Sequence, residues 1–169
     1  MNCFNKLRFI IFFSILIGCV NPFAPKLIDI QENQTILTNQ KTIEGLFINF
    51  SYAYNFKDTT VYSKLLSEDF VFVYRNYDLG ADLSWGKLED IKATYGLFQS
   101  ASSINLIWND SYLSIGDSLE RNIQRAFSLT IVFSPNDIIQ LHGKANFKVK
   151  FNPIDSIWQI TYWRDDTYF

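Results

Sequence analysis

Arg125 is the polar residue that asks most of its surroundings. Between residues 123 and 133 the odd positions are Ile123, Phe127, Leu129, Ile131 and Phe133, so Arg125 shares the phase of an apolar strand face. A guanidinium taken out of water without a partner is costly. Two arrangements meet that cost. Arg125 lies near the start of its strand and can snorkel its head into solvent. Alternatively it lines a pocket with Tyr74, Tyr162 or Asp165 and receives an anionic or carbonyl group; Asp165, on the phase of Trp163, is its candidate charge partner. His142, the one histidine, falls on the polar phase of its strand and is expected to point outward, whereas a general base must face its substrate. The adjacent acids Glu89 and Asp90 sit early in a helical stretch, on its solvated side, where the helix dipole favours negative charge. Trp85, Trp108, Trp158 and Trp163 read as core or sheet-face aromatics rather than a stacking platform. The chain has no glycine-rich phosphate loop, no nucleophile elbow and no metal-ligand spacing, so no cofactor is expected.

The elements that must position these residues are legible from periodicity. Residues 139–151 alternate strictly, with Ile139, Leu141, Ala145, Phe147, Val149 and Phe151 on one face and His142, Lys144, Lys148 and Lys150 on the other. Asn152-Pro153-Ile154-Asp155 turns the chain, and residues 156–165 run back carrying Trp158 and Trp163. Residues 104–115 and 122–133 also read as strands, set off by Gly116-Asp117 and by Ser134-Pro135-Asn136-Asp137. Four consecutive antiparallel strands make a meander. Ahead of it the spacing is helical. Ile43, Phe47, Phe50 and Tyr54 form one stripe, and Asp58-Thr59-Thr60 opens a short second helix through Tyr62, Leu65 and Leu66. Phe70–Tyr74 is a short strand, residues 75–84 a polar loop, and Ser84 caps a third helix carrying Leu88, Ile91, Tyr95 and Phe98. Helices first and sheet afterwards argue an α+β domain over residues 41–169, with three helices on the concave face of a curved four-stranded antiparallel sheet.

Composition narrows the partners. Hydrophobic content of 48% and aromatic content of 17% supply an aromatic-rich core. Net charge is −2 and becomes −4 if the first 18 residues are removed with Lys6 and Arg8. That balance excludes a nucleic-acid footprint, which needs a net basic face.

The order of elements, the run Leu65-Leu66-Ser67-Glu68-Asp69-Phe70 and the ending Trp158-Gln159-Ile160 with Trp163-Arg164-Asp165 resemble the nuclear transport factor two-like superfamily, also called SnoaL-like, over residues 42–166. The resemblance implies a cone of strongly bent sheet with helices packed in its mouth, the cystatin-like arrangement. Some members hold a ligand in the cone, and some are isomerases, dehydratases or epoxide hydrolases using a carboxylate or histidine base with a tyrosine donor. No such motif is placed here by the residues themselves. Members also dimerise often through the outer sheet face, although Lys144, Lys148 and Lys150 argue against a large apolar interface on that strand.

The N-terminus sets the expected address. Two basic residues precede the apolar run Phe9–Ile17, which is about half the roughly 20 residues needed to span a bilayer and fits a signal-peptide core. Leu16-Ile17-Gly18-Cys19 resembles the lipobox of bacterial lipoproteins. That likeness implies cleavage before Cys19, lipidation of its thiol, and a domain fixed to a membrane of the bacterial cell envelope outside the cytoplasm. The alternative is an ordinary secretory signal with an accidental cysteine. Cys3 is the only other cysteine, so the mature domain would have no thiol for a disulfide or metal site. Residues 19–40 hold two prolines and a polar cluster and read as a tether, with a reach of roughly 25 Å. Together these features point to a membrane-tethered, non-enzymatic domain that binds a small hydrophobic or anionic ligand or another protein. The alternatives are a small isomerase or dehydratase using the cone, and an assembly protein that forms homodimers.

Overall fold

A computed structural model describes residues 37–165, so Cys19, the expected signal segment and most of the expected tether lie outside the described residues. Helix α1 (Ile43–Asn55) starts where Thr42, in extended conformation, accepts the Gly45 N–H on its hydroxyl at 3.0 Å. Its apolar stripe buries Leu46, Phe47, Phe50, Ala53 and Tyr54. Helix α2 (Thr59–Leu65) is capped by Asp58, whose carboxylate accepts from Thr60 and Val61 N–H. The second of these caps falls in the Asp58-Thr59-Thr60 cluster that marks it in the sequence.

The sheet has six strands rather than four. Strands β1 (Leu66–Asn76), β2 (Ala81–Gly86), β3 (Ser103–Gly116), β4 (Glu120–Ser134), β5 (Asp137–Asn152) and β6 (Ile157–Asp165) lie in the order β2-β1-β6-β5-β4-β3. The last four form the expected antiparallel meander. β1 extends the sheet by pairing parallel to β6, and β2 folds back on β1 through a turn with Gly80 at φ 60°. Ala-Asp-Leu-Ser-Trp-Gly at an outer edge is half solvated and carries no alternation, so it reads as loop in the sequence. Helix α3 (Lys87–Ser100) therefore begins after Gly86, without a side-chain cap, and Ser84 belongs to the strand before it.

The three helices pack against the concave side of this curved, mostly antiparallel sheet. The core between them joins Phe47, Phe50, Tyr62 and Phe98 from the helices to Ile123, Phe147, Val149 and Ile160 from the strands. Gly116 closes the β3–β4 hairpin at φ 148°, where an added Cβ would collide with the Glu120 carbonyl.

The last residues of the expected tether are part of this body. Thr38 N–H donates to Asn49 Oδ1 at 2.7 Å, Gln40 Nε2 donates to Trp158 O at 2.7 Å, and Trp158 N–H donates to Gln40 O at 3.0 Å. No helix among the described residues is long and apolar enough to cross a membrane.

Candidate functional site

A cavity of about 230 Å³ lies between α1, α3 and the concave sheet face. Phe50 and Tyr54 reach it from α1, Leu97 from α3, Trp108 from β3, and Trp163 and Asp165 from β6. Each arrives there for a local reason. Phe50 and Tyr54 are four apart on the buried stripe of α1. Trp163 and Asp165 share a strand face with Phe147 and Ala145, their register partners on β5.

The two α1 residues also touch a buried polar network. Tyr62 Oη–H donates to Asp90 Oδ2 at 2.6 Å, and Trp85 Nε1–H donates to Asp90 Oδ1 at 2.9 Å. Tyr54 completes it through hydrogen bonds with Thr94 and Tyr62. Asp90 is 4% exposed, so the expectation that it lies on the solvated side of its helix is overturned. Two ring-borne donors satisfy it from inside, which no pattern of adjacent acids reveals. Burial pushes its carboxyl above the ordinary aspartate value of 3.8, against the two hydrogen bonds that lower it. The folded chain thus holds this proton more tightly than the unfolded chain. The group weakens stability as pH rises from 3.8 through the raised folded value. Burial first, and then the charge of Asp90, hold the Tyr54 hydroxyl protonated far above the usual tyrosine range; the charge of Asp165 adds to this.

That arrangement can be set beside known proteins. No model of a known protein family matches the chain, nor does any curated protein sequence. Solved structures do match in shape. A conserved protein from Planctomyces limnophilus superposes with a TM-score of 0.65 at 17% identity, over 75% of this chain and 93% of that one. A protein from Novosphingobium aromaticivorans, provisionally named a scytalone dehydratase, gives 0.65 at 15% identity, over 80% and 87%. A nuclear transport factor two-like superfamily protein from Salmonella enterica gives 0.59 at 16% identity, over 75% and 88%. The domain has the nuclear transport factor two-like fold. At these identities the likeness fixes the fold and leaves the site to be read from this chain's own side chains.

Within that fold the residues singled out by sequence separate. Arg125, Ala145, Asp165 and Tyr74 occupy one register row across β4, β5, β6 and β1. Arg125 nonetheless neither snorkels nor pairs with Asp165. It is 3% exposed and its guanidinium meets the Glu44 carboxylate in two bonds of 3.0 Å each, while Nε donates to Asn109 O at 3.1 Å. The Phe47 ring lies under it at 4.8 Å. The partner is 81 residues away, on the first turn of α1. Three of its N–H groups are thus engaged, and Arg125 is not among the residues lining the cavity.

Tyr74 stays on the concave side but stacks on Phe72 and lies tilted against Trp85. Tyr162 is on the other face. A register shift between Lys148 and Val149 inserts Thr161 as an extra residue in β6, so Ile160 and Trp163 both face the core and Tyr162 pairs with Lys148 on the outside. There it borders a shallow hollow with Leu113 and Ile115. His142 is solvated beside Ser128, as its phase implies. Only Asp165 of the four pocket candidates lines the cavity, and Tyr54, its wall partner, was read in the sequence simply as part of a helix stripe. Among the described residues no three His, Cys, Asp or Glu side chains are grouped as metal ligands.

Proposed function

We propose that this is a membrane-tethered domain that binds a small, mainly apolar ligand inside its cone. The observation that carries the reading is the cavity itself: about 230 Å³, walled by aromatic and aliphatic side chains with few polar groups. An apolar cavity of about 150 Å³ accommodates benzene, so this one suits a substituted ring or a small fused bicycle. The test is a titration of the full chain in lipid nanodiscs with indane and 1-indanone, followed by tryptophan fluorescence. Saturable binding of one molecule per chain is expected of at least one of them, and no binding of either at its solubility limit contradicts the reading.

The tether is the second part of the proposal. Lipidated Cys19 would hold the domain at the envelope membrane, since each buried acyl methylene contributes about 0.8 kcal/mol. Cys19→Ser is expected to move the protein from the membrane to the soluble fraction. Unchanged retention in the membrane pellet counts against lipidation.

A specific observation favours catalysis as a second reading. Asp165 and Tyr54 share the cavity, and the phenol is held protonated. A carboxylate that takes a proton from the carbon beside a carbonyl, facing a phenol that donates to the oxygen, is the chemistry of an isomerase or dehydratase. Two fold neighbours carry dehydratase in their names, which supports the reading without deciding it. Exchange of the α hydrogens of 1-indanone for deuterium separates the two. A rate above background that Asp165→Asn removes favours the enzyme, and a background rate favours the binding domain.

A further inference from the structure

Helix α3 is the least secured wall of the cavity. Of its 14 residues Asp90, Thr94 and Phe98 are buried, spaced four apart on one stripe, and two of the three are polar. Over nearly the same length α1 buries Leu46, Phe47, Phe50, Ala53 and Tyr54 among others. Ile91 and Leu97 add only partly buried contact. α3 is therefore held by the bonds of Asp90 with Tyr62 and Trp85, that of Thr94 with Tyr54, and the edge-on approach of Phe98 to Tyr54 at 5.3 Å. Its own helical preference is weak. No side chain caps its start, and Gly96 stands in its exposed interior, where glycine disfavours helix. A Cβ added at Gly96 meets nothing within 4 Å, so packing does not require the glycine.

The facing walls are built differently. α1 is bonded into the sheet near both ends, by Glu44 to Arg125 of β4 and by Asn55, whose amide takes the Leu106 N–H of β3 at 2.6 Å and donates to the Leu106 carbonyl at 3.3 Å. The strands are laddered to one another. The two ends of α3 are also tied: Lys87 Nζ donates to Leu66 O at 2.9 Å, and Lys57 Nζ donates to Ala101 O, just past the helix, at 3.0 Å. Held ends and a weak middle favour local loss of helix over the swing of a rigid rod. Leu97, from that middle, lines the cavity, and the lining residues Phe50 and Phe72 are 1% and 8% exposed. A ring seated against them needs a wall that parts.

We infer that α3 unfolds locally between its fixed ends and that this opening is the route by which a ligand reaches the cavity. The inference rests on the cavity-binding reading above and adds the control of entry. A ligand that enters through the open form and is held in the closed one associates and dissociates at rates that both follow the open population, while its affinity does not.

The test uses the full chain in lipid nanodiscs. Amide exchange at low urea is expected to show α3 opening with a shallow urea dependence, and α1 exchanging with the steep dependence of global unfolding. Stopped-flow tryptophan fluorescence with indane reads the route. Gly96→Ala is expected to slow association and dissociation alike, each about fivefold, with affinity unchanged. Tyr62→Phe, which removes a donor to Asp90, is expected to speed both by about tenfold or more, again at constant affinity. Exchange of α3 only with the steep global dependence overturns the inference, as does Gly96→Ala leaving both rates as they were while indane still binds. Absence of indane binding removes the cavity-binding reading itself, and the entry route with it.

Discussion

Glu44→Ala is expected to destabilise the domain by about 3 kcal/mol, whereas Arg125→Met costs no more than about 1 kcal/mol. The asymmetry comes from burial. The Arg125 side chain is 3% exposed and that of Glu44 is 50% exposed. Removing the carboxylate strands a guanidinium in the protein interior with only the Asn109 carbonyl to accept from it. Removing the guanidinium instead frees a carboxylate that is already half in water. Methionine fills the space and keeps apolar contact with the faces of Phe47 and Trp108 that Arg125 covers. The pair thus clamps the first turn of α1 onto β4, and its stability effect resides mainly in avoiding an orphaned cation. Urea unfolding of the two variants checks this through their midpoints at unchanged slope. Equal losses, or a larger loss for Arg125→Met, contradict it.

Phe50→Ala carries the largest expected loss, about 4 kcal/mol. The side chain is 1% exposed and its ring touches five others: Tyr54, Tyr62, Trp108, Phe147 and Trp163, at 5.0 to 6.1 Å between centroids. Four of these contacts are edge-to-face, the geometry that adds to simple area burial. Truncation also leaves a void that joins the cavity Phe50 already lines, so neighbouring rings cannot collapse to recover contact. Phe50→Leu, which keeps most of the volume, is expected to lose about half as much. A loss below about 1.5 kcal/mol for the alanine variant would mean that the aromatic cluster repacks freely and that the cavity wall is not fixed.

The meander was legible because period two persists through Ile139–Phe151 and Ile123–Phe133, and a one-residue slip would bury lysines. The stripe Ile43, Phe47, Phe50 and Tyr54 placed α1 correctly for the same kind of reason. The two strands outside the expected sheet, β2, read as loop, and β1, read as the short strand Phe70–Tyr74, had weaker marks. β2 is a half-exposed edge with loop-like residues, and β1 joins the sheet through a parallel pairing to β6 that leaves no local turn signal. The phase of Arg125 correctly placed it on the buried face. Its partner did not follow, because Glu44 sits on the first turn of a helix, where an acid is ordinarily solvated and dipole-favoured. Asp90 was hidden by the same logic: helix position says solvent, and only tertiary packing brings Tyr62 and Trp85 over it. Tyr162, a pocket candidate in the sequence, faces outward because of the bulge in β6. Trp158 and Ile160 lie an odd number of positions before Trp163, and all three reach the concave side only if the strand carries a bulge. That parity was the available signal.

The cone as a ligand site is tested most directly by a crystal structure of the protein grown with saturating 1-indanone. The account predicts one ring between Phe50, Trp108 and Trp163. A cavity without the ring, or a ring found only on the outer face beside Tyr162 and Leu113, contradicts it.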